Sequence, residues 1–459
     1  MENDQKEVIL KKIHIKNFKS YKDSEIDLKN FNVVIGPNSS GKSNLIELFK
    51  LLKSIYTESY TIDPFLPWWG YHNVVWQRDE THPISVVFYL NAYGYDAVYE
   101  TVFTGQGGYF RFIKEKLVIN DVLTVHRQGE TVSIQHNKSF INKIWRSYTK
   151  KSLHEPFFFS KEFAETLKQK DYYYNIQLKN VISDTETVLS FLSKNKYLST
   201  YFDTDKIVVD FFLGTEEEQK KNWAAAISPL KGKIFIKNHK QYRMASVLYA
   251  VVNWYEEFLS NIIVLRPISA REIKKNILVA RKEEELTEDA LNLQSVLYNM
   301  FLTENKLPER IRSAMNYVFP GTNIRFELTS DARLYLKVNE QGLELDPPMI
   351  SDGFYKFLAI MTALEKNASL LLIDEIENSL HPKAIERIID ELKDSNYPII
   401  ITTHSPAVID IVDPKDIILL EKDPIDGSKA TRIKDPEEVK RKLTDLGITL
   451  SEGWLYGKL

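Results

Sequence analysis

The sequence contains no cysteine, which excludes disulfides, thiolate zinc sites and cysteine nucleophiles. It also lacks a net charge of any size. Its 60 Lys and Arg stand against 63 Asp and Glu, so no overall pull toward nucleic acid is expected, although a local basic face stays open. No run of ~18 uninterrupted apolar residues is present; the most apolar window, VLYAVVNWYEEFLSNIIVL, has Glu256 and Glu257 in its middle. The opening MENDQKEVILKK has no basic segment leading into an apolar one, so no signal peptide is expected. There is no long heptad run, internal repeat or low-complexity stretch. What remains is a chain of 459 residues, long enough for two or three domains and expected to be soluble, cytoplasmic and free of membrane partners.

The most informative stretch is FNVVIGPNSSGKSNLI, residues 31–46. Within it GPNSSGKS fits G-x-x-x-x-G-K-[ST]. The apolar FNVVI before it has strand length, and Leu45, Leu48, Phe49, Leu52 and Ile55 after it recur at helical spacing. Strand, glycine loop and helix is the order a phosphate cradle needs. Gly36 and Gly41 let backbone N–H groups turn inward, and the helix start adds its positive end. Lys42 is expected to neutralise the β and γ phosphates of ATP, with Ser43 as a ligand of Mg²⁺. Asn38, Ser40 and Asn44 complete the expected nucleotide contacts.

The second cluster lies far along the chain. SLLLIDEIE (369–377) reads as a buried parallel strand with two carboxylates at its C-terminal end. Asp374 fits a Mg²⁺ ligand, and Glu375 fits the group that orients or deprotonates water. A helix with Ala384, Ile385, Ile388, Ile389 and Leu392 on one face follows, starting at Pro382. PIIITTHSP then gives another buried strand ending at His404, whose imidazole is placed to bond a γ-phosphate. This β-α-β unit makes the strands parallel, so their C-terminal ends gather at one sheet edge, where ligands bind. Upstream, Ser351-Asp352-Gly353 is expected to cap a helix carrying Phe357, Leu358, Ile360, Met361 and Leu364. That cap is open to two readings, an ordinary N-cap or a second phosphate-binding helix end.

In the order GPNSSGKS, SDG, LLLIDE, TTHS the chain resembles the ABC-type ATPase heads of the RecF/SMC-like group. The resemblance makes these motifs the Walker A, a shortened signature, the Walker B and the switch histidine, and puts NSLHP (378–382) at the D-loop. It implies that Asn17 to Lys19 lie near the nucleotide base. It implies a P-loop ABC-type α/β head, a mixed sheet with flanking antiparallel strands and helices, interrupted by a largely helical insertion. SDG, the run DEIENSLHP and the tail DIILLEKD...DLGITLSEGWLYGKL are similar to the overcoming-lysogenization-defect (OLD) group, many of whose members act in anti-phage defence. The resemblance covers about residues 8–60 and 260–459. Only 55 residues follow His404, too few for the Toprim nuclease domain of that group, so the chain is expected to lack one. Asp423 and Asp426 in that tail read as a turn.

The expected organisation is residues 1–115 and 263–459 forming the head, with 116–262 as a mainly helical insertion containing the aromatic clusters FFFSKEF and KDYYYNI. Those clusters read as insertion core or as a docking surface. VVFYLNAY and TVFTGQGGYFRF alternate like antiparallel strands. Gln77 takes the place of a Q-loop glutamine near the metal, or is an ordinary loop residue. Arg271 reads as a basic residue returning toward the nucleotide or as a surface ion pair. Residues 101–150 hold eight Lys and Arg against three acidic residues, a DNA contact or a solvated face. The expected function is an ATPase that dimerises around ATP and regulates a separate effector, a nuclease or toxin, in a Septu-like or PARIS-like defence system. The alternative is a RecF/SMC-like ATPase that binds DNA itself.

Overall fold

The computed structural model describes residues 8–57, 63–92, 95–120, 123–129, 131–137, 173–178, 258–266, 268–275, 278–279, 282–330 and 332–458. The chain forms two compact units, one of Met1–Lys6, Ser20–Lys50 and Asn261–Leu459 and one of Glu7–Lys19 and Leu51–Ser260.

Five parallel strands make the centre of the first unit, in the order Ile262–Leu265, Leu370–Ile373, Ile399–Thr403, Phe31–Ile35, Ile417–Asp423. Gly427–Arg432 and Tyr21–Asp27 extend that sheet antiparallel. Every residue of Phe31–Ile35, Leu370–Ile373 and Ile399–Thr403 is buried, as strands covered on both faces must be. The register pairs Ile373 with Ile401 and Thr403 with Ile35. Gly36, Asp374 and His404 therefore leave the sheet at the same edge.

Helices follow two of these strands as their sequences require. Lys42–Thr57 begins inside the glycine loop. Pro382–Lys393 starts with Pro382 in its first turn and buries Ala384, Ile385, Ile388, Ile389 and Leu392. The helix Asp352–Leu364 buries every residue from Phe354 to Leu364. It packs with Ile373, Ile388 and Ile401 in one apolar cluster. A small antiparallel sheet of Leu278–Val279, Arg333–Glu340, Thr322–Leu328 and Leu343–Leu345 completes the unit. The fold class is the mixed α/β head that the motifs imply.

Among its described residues the second unit carries seven antiparallel strands, Val8–Phe18, Ile84–Ala92, Tyr95–Thr104, Arg111–Ile119, Leu123–Gln128, Thr131–Asn137 and Tyr173–Leu178, paired in that order. The two pieces expected as strands, VVFYLNAY and TVFTGQGGYFRF, fall on them. The boundary expected after residue 115 is corrected, because Glu115 lies inside Arg111–Ile119. The helical reading is also corrected at Leu123–Gln128, Thr131–Asn137 and Tyr173–Leu178. LTVHRQ alternates buried and half-buried positions at period two, but its third inward residue is Arg127. A charged residue on a core face conceals the alternation. FFFSKEF and the rest of 138–172 and 179–257 lie outside the described residues. Among those described, no helix is long and apolar enough to cross a membrane.

Arg127 and Glu115 form a fully buried ion pair at 2.9 Å. Arg127 Nε donates to the Gly129 carbonyl at 2.8 Å, and the Tyr99 hydroxyl donates to Glu115 at 2.7 Å. Removing one partner strands the other charge out of water. Glu115→Ala is expected to destabilise the second unit by about 3–5 kcal/mol, read as lost hydrogen-exchange protection in Arg111–Ile119 and Leu123–Gln128. Glu115→Leu combined with Arg127→Met should restore most of it.

Candidate active site

The glycine loop is built around backbone that ordinary residues resist. Gly41 has φ +111°, and a Cβ there would lie 2.5 Å from Ser428 Oγ and 2.7 Å from Ser20 Oγ. Ser39 also takes a left-handed φ of 65°. Ser428 Oγ donates to the Ser40 carbonyl at 2.5 Å and lies 2.8 Å from Ser20 Oγ, whose hydroxyl can donate to it. The Tyr21 hydroxyl donates to the Gly41 carbonyl at 2.9 Å, and burial lifts its pKa above the ordinary phenol value. Asn44, expected as a nucleotide contact, donates its amide to Ser20 Oγ at 2.8 Å. These braces hold the loop from outside. Ser20, Tyr21 and Ser428 carry no motif, and their role is not visible in sequence.

Lys42 is 9% exposed. Its ammonium donates to the carbonyls of Gly36 at 2.6 Å and Pro37 at 3.1 Å, folding back over the loop. Burial lowers its pKa, opposed by the charges of Asp374, Glu375 and Glu377. Ser43 and Asn38 are exposed and Ser40 is buried, its Oγ without a hydrogen-bond partner.

The carboxylates meet this loop from the neighbouring strand end. Ser43 Oγ lies 3.5 Å from Asp374 Oδ1, across 331 residues of sequence. Asp374 is buried at 5% exposure and accepts from the Thr402 hydroxyl at 2.6 Å. That same hydroxyl accepts from the Glu375 amide at 3.0 Å. Glu375 has a left-handed φ of 48°, a conformation uncommon for a residue with a side chain. Its carboxylate accepts from Asn378 Nδ2 at 2.6 Å, and its carbonyl accepts from Lys356 Nζ at 2.7 Å.

His404 follows the strand Ile399–Thr403 with its side chain half exposed. Glu377, which sequence reasoning passed over, positions it. Glu377 Oε1 accepts the His404 amide at 3.0 Å and lies 3.2 Å from His404 Nδ1, while Oε2 accepts from the Thr403 hydroxyl at 2.8 Å. The signal available was the third carboxylate of DEIE. Lys356 was missed for another reason: within FYKFLAIM it reads as an ordinary polar break.

Ser351 is the N-cap of Asp352–Leu364, its Oγ accepting from the Phe354 amide at 3.2 Å. Ser351 and Asp352 are exposed, and Lys274 pairs with Asp352 at 2.5 Å. A Cβ on Gly353 would lie 2.5 Å from the Ser379 carbonyl, so glycine is what lets this helix start approach 378–380. Arg271 is exposed on the helix Ala270–Lys275. Gln77 belongs to the second unit, in the turn Trp76–Arg78 with φ 52°. Asp423 makes the expected turn, accepting the amides of Ile425 and Asp426 at 2.7 Å.

The residues suit a magnesium–nucleotide complex. Gly41 lets the loop pack against Ser20 and Ser428 where a Cβ would collide, and Ser40 offers an unpaired buried hydroxyl. Ser43 and Asp374 are hard oxygen donors of the kind Mg²⁺ prefers. Among the described residues no group of three or more His, Asp or Glu forms a metal site by itself.

Comparison with known proteins bears on this site. The family model described as "AAA domain, putative AbiEii toxin, Type IV TA system" matches residues 31–410. The chain is similar to an "ATP/GTP phosphatase" of Helicobacter pylori, 22% identical over 442 residues and covering 94% of each chain. It is similar to "Retron Ec83 probable ATPase" of Escherichia coli, 28% identical over 172 residues, 32% of this chain and 31% of that one. A stretch of 50 residues is 50% identical to the chromosome partition protein Smc of Methanocaldococcus jannaschii, 10% of this chain and 4% of that one.

Thr402 is the hinge of the carboxylate geometry, since one hydroxyl serves Asp374 and Glu375 together. Thr402→Val keeps shape and removes both bonds. It is expected to destabilise the first unit by about 1–3 kcal/mol, the cost of leaving buried polar groups unpaired. Urea denaturation measures this, and a wild-type midpoint would contradict it.

Proposed function

The chain belongs to the AAA-domain family whose model matches residues 31–410, and on that premise we propose an ATPase whose two copies close around ATP to control a separate effector in bacterial anti-phage defence. It hydrolyses ATP to ADP and phosphate. The observation that carries this reading is the meeting of Ser43 and Asp374 at 3.5 Å, a loop hydroxyl and a strand-end carboxylate joined by nothing but the fold.

Each residue has a part that its surroundings set. Backbone N–H groups of the glycine loop and the start of Lys42–Thr57 would face the phosphates, apart from the Ser40 amide, which bonds the Pro37 carbonyl at 3.2 Å. Lys42 exchanges two carbonyl partners for phosphate oxygens, whose charge also restores the protonated form that burial disfavours. Ser43 and Asp374 would hold Mg²⁺, with Thr402 fixing the carboxylate. Mg²⁺ bound there would neutralise charge building between the β and γ phosphates. Glu375, oriented by Asn378, accepts a proton from the attacking water. His404, oriented by Glu377, donates a hydrogen bond toward the γ-phosphate.

One copy supplies Lys42, Ser43, Asp374 and Glu375, and the other supplies the exposed helix start Ser351-Asp352-Gly353. ATP contacting both copies favours the closed pair, and hydrolysis removes the bridge. The defence role is supported by the family's description and by the retron ATPase among the relatives. It gives the nucleotide cycle a partner, a nuclease or toxin held or released by the pair. A direct DNA-binding role, as in RecF/SMC-like heads, is supported by the 50-residue Smc match. It would require ATP-dependent DNA affinity that falls steeply with salt.

Glu375→Gln is expected to retain ATP and lower turnover on the order of 100-fold or more, measured as phosphate release. With ATP it should run as a dimer in size-exclusion light scattering; a monomer at every concentration would defeat the paired reading. Lys42→Ala should lose ATP retention and with it protection against phage in a plaque assay.

A further inference from the structure

Lys356 is a lysine in a helix segment that is otherwise core. Every residue from Phe354 to Leu364 is buried, and Lys356 itself is 2% exposed. Burial presses its pKa down to about 8, with the charges of Glu377, Glu375 and Asp374 working against the shift. An apolar residue of similar length would remove the desolvation cost. A charge kept in such a place calls for a task.

Its contact names the task. Lys356 Nζ donates to the carbonyl of Glu375 at 2.7 Å, in the residue whose φ of 48° is left-handed. The same backbone is held on its other sides by Thr402, through the Glu375 amide at 3.0 Å and the Ile376 amide to the Thr402 carbonyl at 3.2 Å. Thr402 belongs to the strand Ile399–Thr403, whereas Lys356 comes from the helix that begins at Ser351-Asp352-Gly353. Three residues before Lys356, and so on the same helix face, Gly353 abuts the Ser379 carbonyl. The helix thus grips the segment 375–379 at both of its ends.

We propose that Lys356 is a positioning residue that locks the Glu375 turn to the helix starting at Ser351, so that this helix and the catalytic carboxylate move as one body. The inference rests on the ATPase reading above and deepens it. In a closed pair, engagement of the helix start by the partner's nucleotide is passed along one helical turn to the water-activating group of the same chain. Each site then reports its neighbour's occupancy, and turnover depends cooperatively on ATP.

The test compares Lys356→Met, which removes donor and charge, with Lys356→Gln, which keeps a donor, alongside wild type and Glu375→Gln. Lys356→Met is expected to bind a fluorescent ATP analogue as wild type does, while kcat falls on the order of 10- to 100-fold through misplacement of Glu375 and the Hill coefficient falls to one. Lys356→Gln should recover at least a third of kcat. Wild-type kcat in Lys356→Met, or equal loss in both variants with ATP binding kept, overturns the proposal. Should Lys356→Met not fold, Lys356→Ala rescued in kcat by added propylamine supports it, and absence of rescue overturns it. If wild type shows no turnover that Glu375→Gln abolishes, the ATPase reading falls and takes this inference with it; if it does, only the role of Lys356 is in question.

Discussion

Everything at this site depends on one hydroxyl on a buried strand. Thr402, fully buried, donates to Asp374 and accepts from the Glu375 amide, so a single atom ties the Asp374 carboxylate to the backbone of Glu375. The parallel sheet makes this possible. Strands buried on both faces resist slipping, because a shift would mismatch side chains close-packed against the layers above and below. Their aligned register therefore fixes where Gly36, Asp374 and His404 emerge. Sheet packing far from the edge is what gives the edge its precision.

The charges follow the same logic. Two buried ammonium groups, Lys42 and Lys356, face three carboxylates, Asp374, Glu375 and Glu377. Burial lowers the pKa of both lysines, and each is satisfied by main-chain carbonyls rather than by a paired carboxylate. In the proposed ATPase, an incoming polyphosphate would find Lys42 already desolvated and needing only to change acceptors, and little reorganisation would be required as phosphate charge shifts during cleavage.

The parts of this design that were legible in sequence are those governed by local rules. FNVVI, LLLI and IIITT read as covered strands because they are continuous apolar runs, and Pro382 and Ser351 marked helix starts through capping chemistry. The loop and its Lys42, Ser43, Asp374, Glu375 and His404 were legible through spacing and through the strand ends on which they sit. Thr402, Glu377, Ser20, Tyr21, Ser428 and Lys356 were not. Each acts by meeting a partner made adjacent only by folding, and nothing in its own neighbourhood marks it. The strand Leu123–Gln128 was misread as helix for a related reason. Its alternation is completed by Arg127, which belongs on a core face only because Glu115 waits on the adjacent strand.

Exposure divides the site into groups that set charge and groups that meet another molecule. Asp374, Lys42, Lys356 and Thr402 are buried, whereas Ser43, Asn38, Ser351 and Asp352 are exposed. Asp352 places a negative charge at this exposed helix start and opposes the attraction of its N–H groups for anions. Lys274 answers it with an ion pair at 2.5 Å. With the aspartate paired, the helix start keeps its positive end, and Ser351 caps the Phe354 amide. A helix held along its buried length and charge-balanced at its exposed tip has the form that the proposed closed pair requires, since its tip could meet phosphate without disturbing its own core.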